Sequence, residues 1–198
     1  MQVIVKLANI ELTPDNPNYP GGSWHVEGMK NENIVASGIY YYYSQNITES
    51  QLEFREAIKE PDYEQNDNRG VETVYGLVDD GALNQKIGYV ITQEDRCIAF
   101  PNIYQHRVKP FSLINKSEPG YRKILVFFLV DPNHRVLSTA NVPPQQSSWA
   151  DPSDAYEHNL MELSQAIKYR EDLMKERKFF IKENTEQFFE RPFSLCEH

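Results

Sequence analysis

The chain has 198 residues and a formal net charge of −9, with 20 Lys and Arg against 29 Asp and Glu. Its length and its 12% aromatic content suit one domain with a substantial core. The acidic balance argues against bulk binding to nucleic acid or to anionic membrane, since both need clustered Lys and Arg. No run of 18 apolar residues occurs, so no membrane-spanning helix is expected. The start, "MQVIVKLANIEL", lacks the basic opening and small-residue cleavage site of a signal peptide. Two distant cysteines, Cys97 and Cys196, make no disulfide framework, and Cys97 is expected as a small core residue. The expected setting is reducing and intracellular, cytoplasmic or nuclear.

In chain order, Val3, Val5 and Leu7 alternate as a strand does. Pro14, Pro17 and Pro20 make a loop that ends at Gly21-Gly22, and "SWHVEG" reads as a short strand bounded by glycine. "IVASGIYYYYS" is β-branched and aromatic, a strong strand. Thr48-Glu49-Ser50-Gln51 has the form of a capping box and predicts a short helix through Lys59. "EPDYEQNDNRG" is polar and reads as a mobile loop that would cover a substrate entrance. Five further strands are expected at "VETVYGLV", "KIGYVIT", "RCIAFPN", "HRVKPFSL" and "KILVFFLVDP". The total is eight, the number a double-stranded β-helix (a cupin-like jelly roll) requires.

Past Pro143-Pro144 the character changes. Asp151-Pro152-Ser153-Asp154 is a helix start, and Tyr156, Leu160, Leu163, Ile167 and Met174 recur near helical spacing. The reading is a mostly β domain: a double-stranded β-helix over residues 1–145, and a helical extension over 146–198 whose apolar stripe docks on the barrel. Residue 2 already lies in a strand, so a longer protein with an N-terminal part is expected.

There are five histidines: His25, His106, His134, His158 and His198. His158 falls in the expected helix, His198 ends the chain, and His134 follows the turn signal Asp131-Pro132-Asn133. His25 and His106 stand at strand ends. In extended chain, residues i and i+2 share a face, so His25 and Glu27 aim the same way. An imidazole and a carboxylate on one edge, plus His106 from a distant strand, form a two-His-one-carboxylate face. Such a face leaves positions open on iron(II) for substrate and oxygen. Each residue also has a plainer reading, as a hydrogen-bonded polar group at a strand end.

Arg122 opens an apolar strand 16 residues after His106, and in that setting it wants a carboxylate partner such as a dicarboxylate co-substrate. The plainer reading is a surface arginine over the sheet edge. Arg122 and Lys123 point to opposite faces, so only one faces inward.

His25-x-Glu27, His106 and Arg122 resemble the site of iron(II)- and 2-oxoglutarate-dependent dioxygenases. "QHRVKPF" with "PGYRKILVFFLVDP" is similar to the H-x-V…G-x-R segment of their prolyl-hydroxylase-like branch. The stretches "QVIVKLANIELTP", "GGSWHVEG", "IYYY", "NITES" and "STANVPPQ" also resemble a fungal family named only as domain of unknown function 4246, from Gln2 to His198. The resemblance implies a double-stranded β-helix with Fe(II) on His25, Glu27 and His106, 2-oxoglutarate on Arg122, and O2 as oxidant. The glycine of G-x-R favours Arg122 over Lys123. Glu27 departs from the commoner Asp. Tyr40 and Tyr42 are placed toward the interior, where a hydroxyl would bond a 2-oxoglutarate carboxylate, or simply pack.

Three functions stay open on this reading. The first is a hydroxylase acting on a peptide, a nucleoside or a small metabolite. The second is a vestigial or noncatalytic jelly-roll interaction domain, or a fragment of a longer enzyme. The third is another cupin-type metalloenzyme, which Arg122 and the scarcity of histidines disfavour.

Overall fold

The computed structural model describes residues 1–64, 66–150 and 160–195. Nine strands are present among them. They are β1 (Val3–Leu12), β2 (Asn18–Tyr19), β3 (Ile34–Gln45), β4 (Gln51–Ala57), β5 (Asn84–Ile91), β6 (Arg96–Pro101), β7 (Gln105–Val108), β8 (Phe111–Ser112) and β9 (Gly120–Val130). A 3-10 turn (Lys30–Glu32), a short helix α1 (Asn68–Tyr75), a long one, α2 (Leu163–Asn184), and a π-helical turn, Thr185–Phe189, complete the regular structure among the described residues. The protein is therefore mostly β, with a helix toward its C-terminus.

All strand pairs are antiparallel. One sheet runs β1-β9-β3-β6, a second runs β5-β4-β7, and β2 pairs with β8. The inward faces follow the period of two that a half-buried strand dictates. Ile39 and Tyr41 of β3, Val126 and Phe128 of β9 and Phe100 of β6 meet Leu52 of β4, so the two larger sheets face each other across one core. A second cluster joins Val71 of α1 to Leu77, Leu83, Phe193 and Leu195, and a third holds Leu12, Phe111 and Leu113.

Several expectations change. Residues 48–59 do not form a helix: Leu52 and Phe54 of β4 enter the core, and β4 is paired on both sides, by β5 and β7. Thr48 bonds the Ser112 amide with its hydroxyl instead of capping a turn. "VETVY" is helical, not extended. Asp67 caps α1 by accepting from the Gly70 amide at 2.9 Å, and Gly76 closes it with a left-handed φ of 65°. The polar stretch before it thus runs into the first turn of α1. "SWHVEG" contributes one bridge rather than a strand. Cys97 is exposed, on the outward face of β6. The helix start at Asp151, and Tyr156, His158, Cys196 and His198, lie outside the described residues. α2 buries none of its residues, and Leu163, Ile167 and Met174 remain exposed, so its apolar stripe does not dock on the sheets. The helix is held by an ion pair from Arg177 to Glu32 and, in the π-helical turn beyond its end, by buried Phe189 and a bond from Asn84 to the Phe189 carbonyl.

Candidate metal centre

His106 is the second residue of β7 and is 3% exposed, walled by Phe100 at 4.9 Å and Phe54 at 6.3 Å between ring centroids. The Gly21-Gly22 turn feeds the chain alongside this strand. Gly21 takes a φ of 95°, and a Cβ there would stand 3.2 Å from Pro110 and from the Val108 carbonyl, so glycine is required. Gly22 donates to Val108, and His25 then exchanges both backbone hydrogen bonds with His106, at 3.2 and 3.0 Å. The extended backbone through this bridge is why His25 and Glu27 share a face.

The three side chains converge. Glu27 Oε1 lies 3.2 Å from His106 Nε2 and 3.7 Å from His25 Nε2. Each residue offers a ligand atom within 4.8 Å of the others, and this is the one such group among the described residues. Two ligand atoms each about 2.1 Å from one metal, at right angles, stand about 3 Å apart. The cluster is close to that spacing, so it fits a divalent ion. His25 donates from Nδ1 to the Ser23 carbonyl at 2.8 Å, which fixes the tautomer that leaves Nε2 as the lone-pair nitrogen.

The electrostatics suit ligation. Burial alone would raise the Glu27 pKa, but hydrogen bonds and charge from His106 and His25 hold it well below the usual carboxylate range. Burial pushes His106 below the ordinary imidazole value, against the pull of Glu27. Burial also works to lower His25, yet Glu27 and the Ser23 carbonyl outweigh it and raise the value. At neutral pH Glu27 is ionised and His106 is neutral, the forms a metal needs.

Two supporting residues lie outside the sequence-based expectations. Asn102, in the turn between β6 and β7, accepts from the Glu27 amide at 2.8 Å and donates to the Glu27 carbonyl at 2.9 Å. It thereby sets where the carboxylate sits. Gln105 is fully buried beside His106, accepts from Arg55 at 2.7 Å and donates to Thr185 at 3.0 Å. This ties the end of the helical extension to the strand that carries His106. Trp24 points away from the histidines, and the Arg55 and Arg107 guanidinium groups lie over its ring at 4.7 and 4.5 Å.

Arg122 faces inward from β9 and is 3% exposed, whereas Lys123 lies outward over the rings of Tyr43 and Tyr121. Gly120, the glycine of G-x-R, has the Asn46 carbonyl where a Cβ would go, at 2.6 Å. The Arg122 guanidinium sits 5.0 Å from the Tyr41 ring centroid. Tyr41 belongs to the same core cluster as Phe100, which touches His106, so arginine and histidine face one interior. No carboxylate pairs with Arg122 among the described residues. Its Nε and the Tyr41 hydroxyl are both buried without a hydrogen-bond partner. Burial pushes the Tyr41 phenol up to about 12, which keeps it neutral and able to donate. The phenol and the guanidinium interact with each other electrostatically, but neither Arg122 Nε nor the Tyr41 hydroxyl has a well-formed hydrogen bond, which leaves both able to donate to an anionic oxygen.

Tyr40 and Tyr42 do not face the interior. Tyr40 donates to Asp95 and Tyr42 to Asn9 on the outer face, and Tyr41 takes the inward position. A bulge between Tyr41 and Tyr43 then turns Tyr43 outward as well, where strict alternation would bring it in. His134 is a loop residue bonded to Asp131, as expected.

A mostly β protein with a clustered His-Glu-His face and an unpaired inward arginine is the class that fold and site define. A protein-family profile described as "Protein of unknown function (DUF4246)" matches residues 1–153, and the chain belongs to that family. No curated protein matches the chain.

Proposed function

We propose that this chain is an iron(II)- and 2-oxoglutarate-dependent oxygenase built on a double-stranded β-helix. The sheet order supports the fold reading. β7 and β8 count as one interrupted strand, and β2 with the bridge at His25 as another. The result is eight strands in two sheets. In one the order is β1-β9-β3-β6, and in the other β5 and β4 are followed by the interrupted β7 and β8, then by β2 and the bridge at His25. The observation that carries the function is the pairing of a His25-Glu27-His106 face with a buried arginine that has no carboxylate partner among the described residues.

On this reading His25, Glu27 and His106 would hold Fe(II), with 2-oxoglutarate and O2 as co-substrates. Bound there, the metal supplies oxygen insertion into a C–H bond of the substrate, coupled to conversion of 2-oxoglutarate to succinate and CO2. Arg122 and Tyr41 would receive the distal carboxylate of 2-oxoglutarate and so orient it. Phe54 and Phe100 keep water from the His106 side. Ser23 and Asn102 hold His25 and Glu27 in register. The test is succinate formed from 2-oxoglutarate by purified protein, with and without Fe(II). Iron-dependent succinate is expected, and equal yields in both arms would refute the reading.

Two outcomes are specific to this chain. Asn102→Ala leaves the Glu27 amide and carbonyl unpaired, so melting should show a loss of about 1–3 kcal/mol. The same variant should bind metal about 10–100-fold more weakly, as loss of a supporting residue does. Metal loading should also fall on acidification. A raised His25 pKa means a proton competes for the imidazole at a higher pH than an ordinary histidine would allow, while Glu27 stays ionised. Below the His25 pKa the apparent affinity should drop about tenfold per pH unit, the signature of one displaced proton. Mn(II) titrations across about pH 5 to 8, the range in which histidine changes charge, read that slope, and a flat profile would remove His25 from the ligand set.

A further inference from the structure

A cleft of about 1010 Å³ runs between α2 and the loop that carries Ser23 and Trp24. Six cations line it: Arg55, Arg107, Lys175, Arg177, Lys178 and Lys182, against the carboxylates Glu186 and Glu190. Four of the six are ion-paired, Arg55 with Glu190, Arg107 with Glu53, Lys175 with Asp172 and Arg177 with Glu32, so the cationic excess of the cleft rests on Lys178 and the loosely paired Lys182. The cleft is also apolar. Met174 and Phe179 of α2 line it and are 61% and 69% exposed, and the Trp24 ring, with two guanidinium groups over it, forms the opposite wall. Trp24 is adjacent to His25, and the Ser23 carbonyl at the rim is the acceptor for His25 Nδ1. The cleft lies on the Trp24 face of this segment, and none of His25, Glu27 and His106 lines it.

We propose that this cleft binds an amphiphilic organic anion, with an apolar body against Trp24, Met174 and Phe179 and a carboxylate or phosphate among the Lys and Arg side chains. The binding does not rest on the oxygenase reading. A cationic rim with an apolar floor favours such a ligand twice over. The rim draws the anion in through its field, and the floor removes apolar surface from water. Lys178 carries no ion pair among the described residues, and Lys182 is held only by a 3.7 Å exposed contact with Glu186 that an incoming anion can displace.

The test uses the whole chain without metal or 2-oxoglutarate, so its failure is separate from failure of the oxygenase reading. Trp149→Phe leaves Trp24 as the single tryptophan. Decanoate and decyl phosphate are titrated while Trp24 emission is followed, with decyltrimethylammonium and decanol as cationic and neutral controls. The expected result is a saturable change with one or both anions, at least about tenfold weaker with either control. Preference between the two anions identifies the head group. Lys178→Glu combined with Lys182→Glu, at exposed positions, should weaken anion binding about tenfold, and Met174→Asp should weaken it through the apolar wall, each with an unchanged circular dichroism spectrum. No saturable change with either anion, equal binding of the cationic probe, or indifference to both variants would overturn the proposal.

Discussion

Replacing His25 with alanine should abolish Fe(II) loading and leave the folded protein within about 1 kcal/mol of wild-type stability. The expectation follows from how the two histidines differ. The His25 side chain is 29% exposed, and its removal opens no large cavity. His106 is buried against Phe54 and Phe100, so truncating it would confound lost ligation with lost packing. His106→Gln keeps most of the volume and is the better partner variant. Each should weaken metal binding by more than about 100-fold, beyond what loss of a supporting residue costs. Glu27→Ala should do the same. Glu27→Asp asks whether the longer arm matters, because the 3.2 Å approach to His106 is made by a carboxylate carried one methylene further out. Metal content by elemental analysis, with melting curves alongside, reads all four variants. Full loading of His25→Ala would remove it from the ligand set.

Arg122→Met should have effects of opposite sign on stability and on ligand binding. A guanidinium buried to 3% exposure with no carboxylate partner among the described residues is costly to hold, and a methionine of similar length fills the space without charge. The ligand-free variant should be more stable by about 1–3 kcal/mol, with a higher melting temperature. Affinity for 2-oxoglutarate should fall by about 30-fold or more, the usual cost of removing one partner of a buried charge pair. A purely structural arginine behaves otherwise: its removal destabilises and leaves 2-oxoglutarate unaffected. Tyr41→Phe, which removes only the hydroxyl, should show a smaller loss of the same kind. Calorimetry of 2-oxoglutarate binding and thermal melting separate the two accounts.

Much of the site was legible because it depends on local backbone geometry. The i, i+2 rule put His25 and Glu27 on one face, and it holds even though the segment forms a single bridge rather than a strand. Alternation along β9 separates Arg122 from Lys123 correctly. Alternation also misplaced the tyrosines, because it carries no phase: Tyr41, not Tyr40 or Tyr42, sits on the core side of β3. A bulge such as the one near Tyr42 then shifts that phase without leaving a mark in composition. Thr48-Glu49-Ser50-Gln51 carries a real capping signal, overridden by pairing of β4 on both edges, which is a tertiary effect. "VETVY" looks extended by composition, yet Asp67 and Gly76 bound a helix there. The apolar stripe of α2 is present as a pattern, but its Met174 faces a cleft rather than the sheets. Asn102 was illegible for a different reason. It acts through backbone bonds to a residue 75 positions away, which no local pattern encodes.

The most direct measurement is calorimetric titration of 2-oxoglutarate into the protein with and without Mn(II), a redox-silent substitute for Fe(II). The oxygenase account predicts one 2-oxoglutarate per chain, bound tightly only when the metal is present, and lost in both His25→Ala and Arg122→Met. Absence of binding, or binding that ignores the metal and both substitutions, would contradict it.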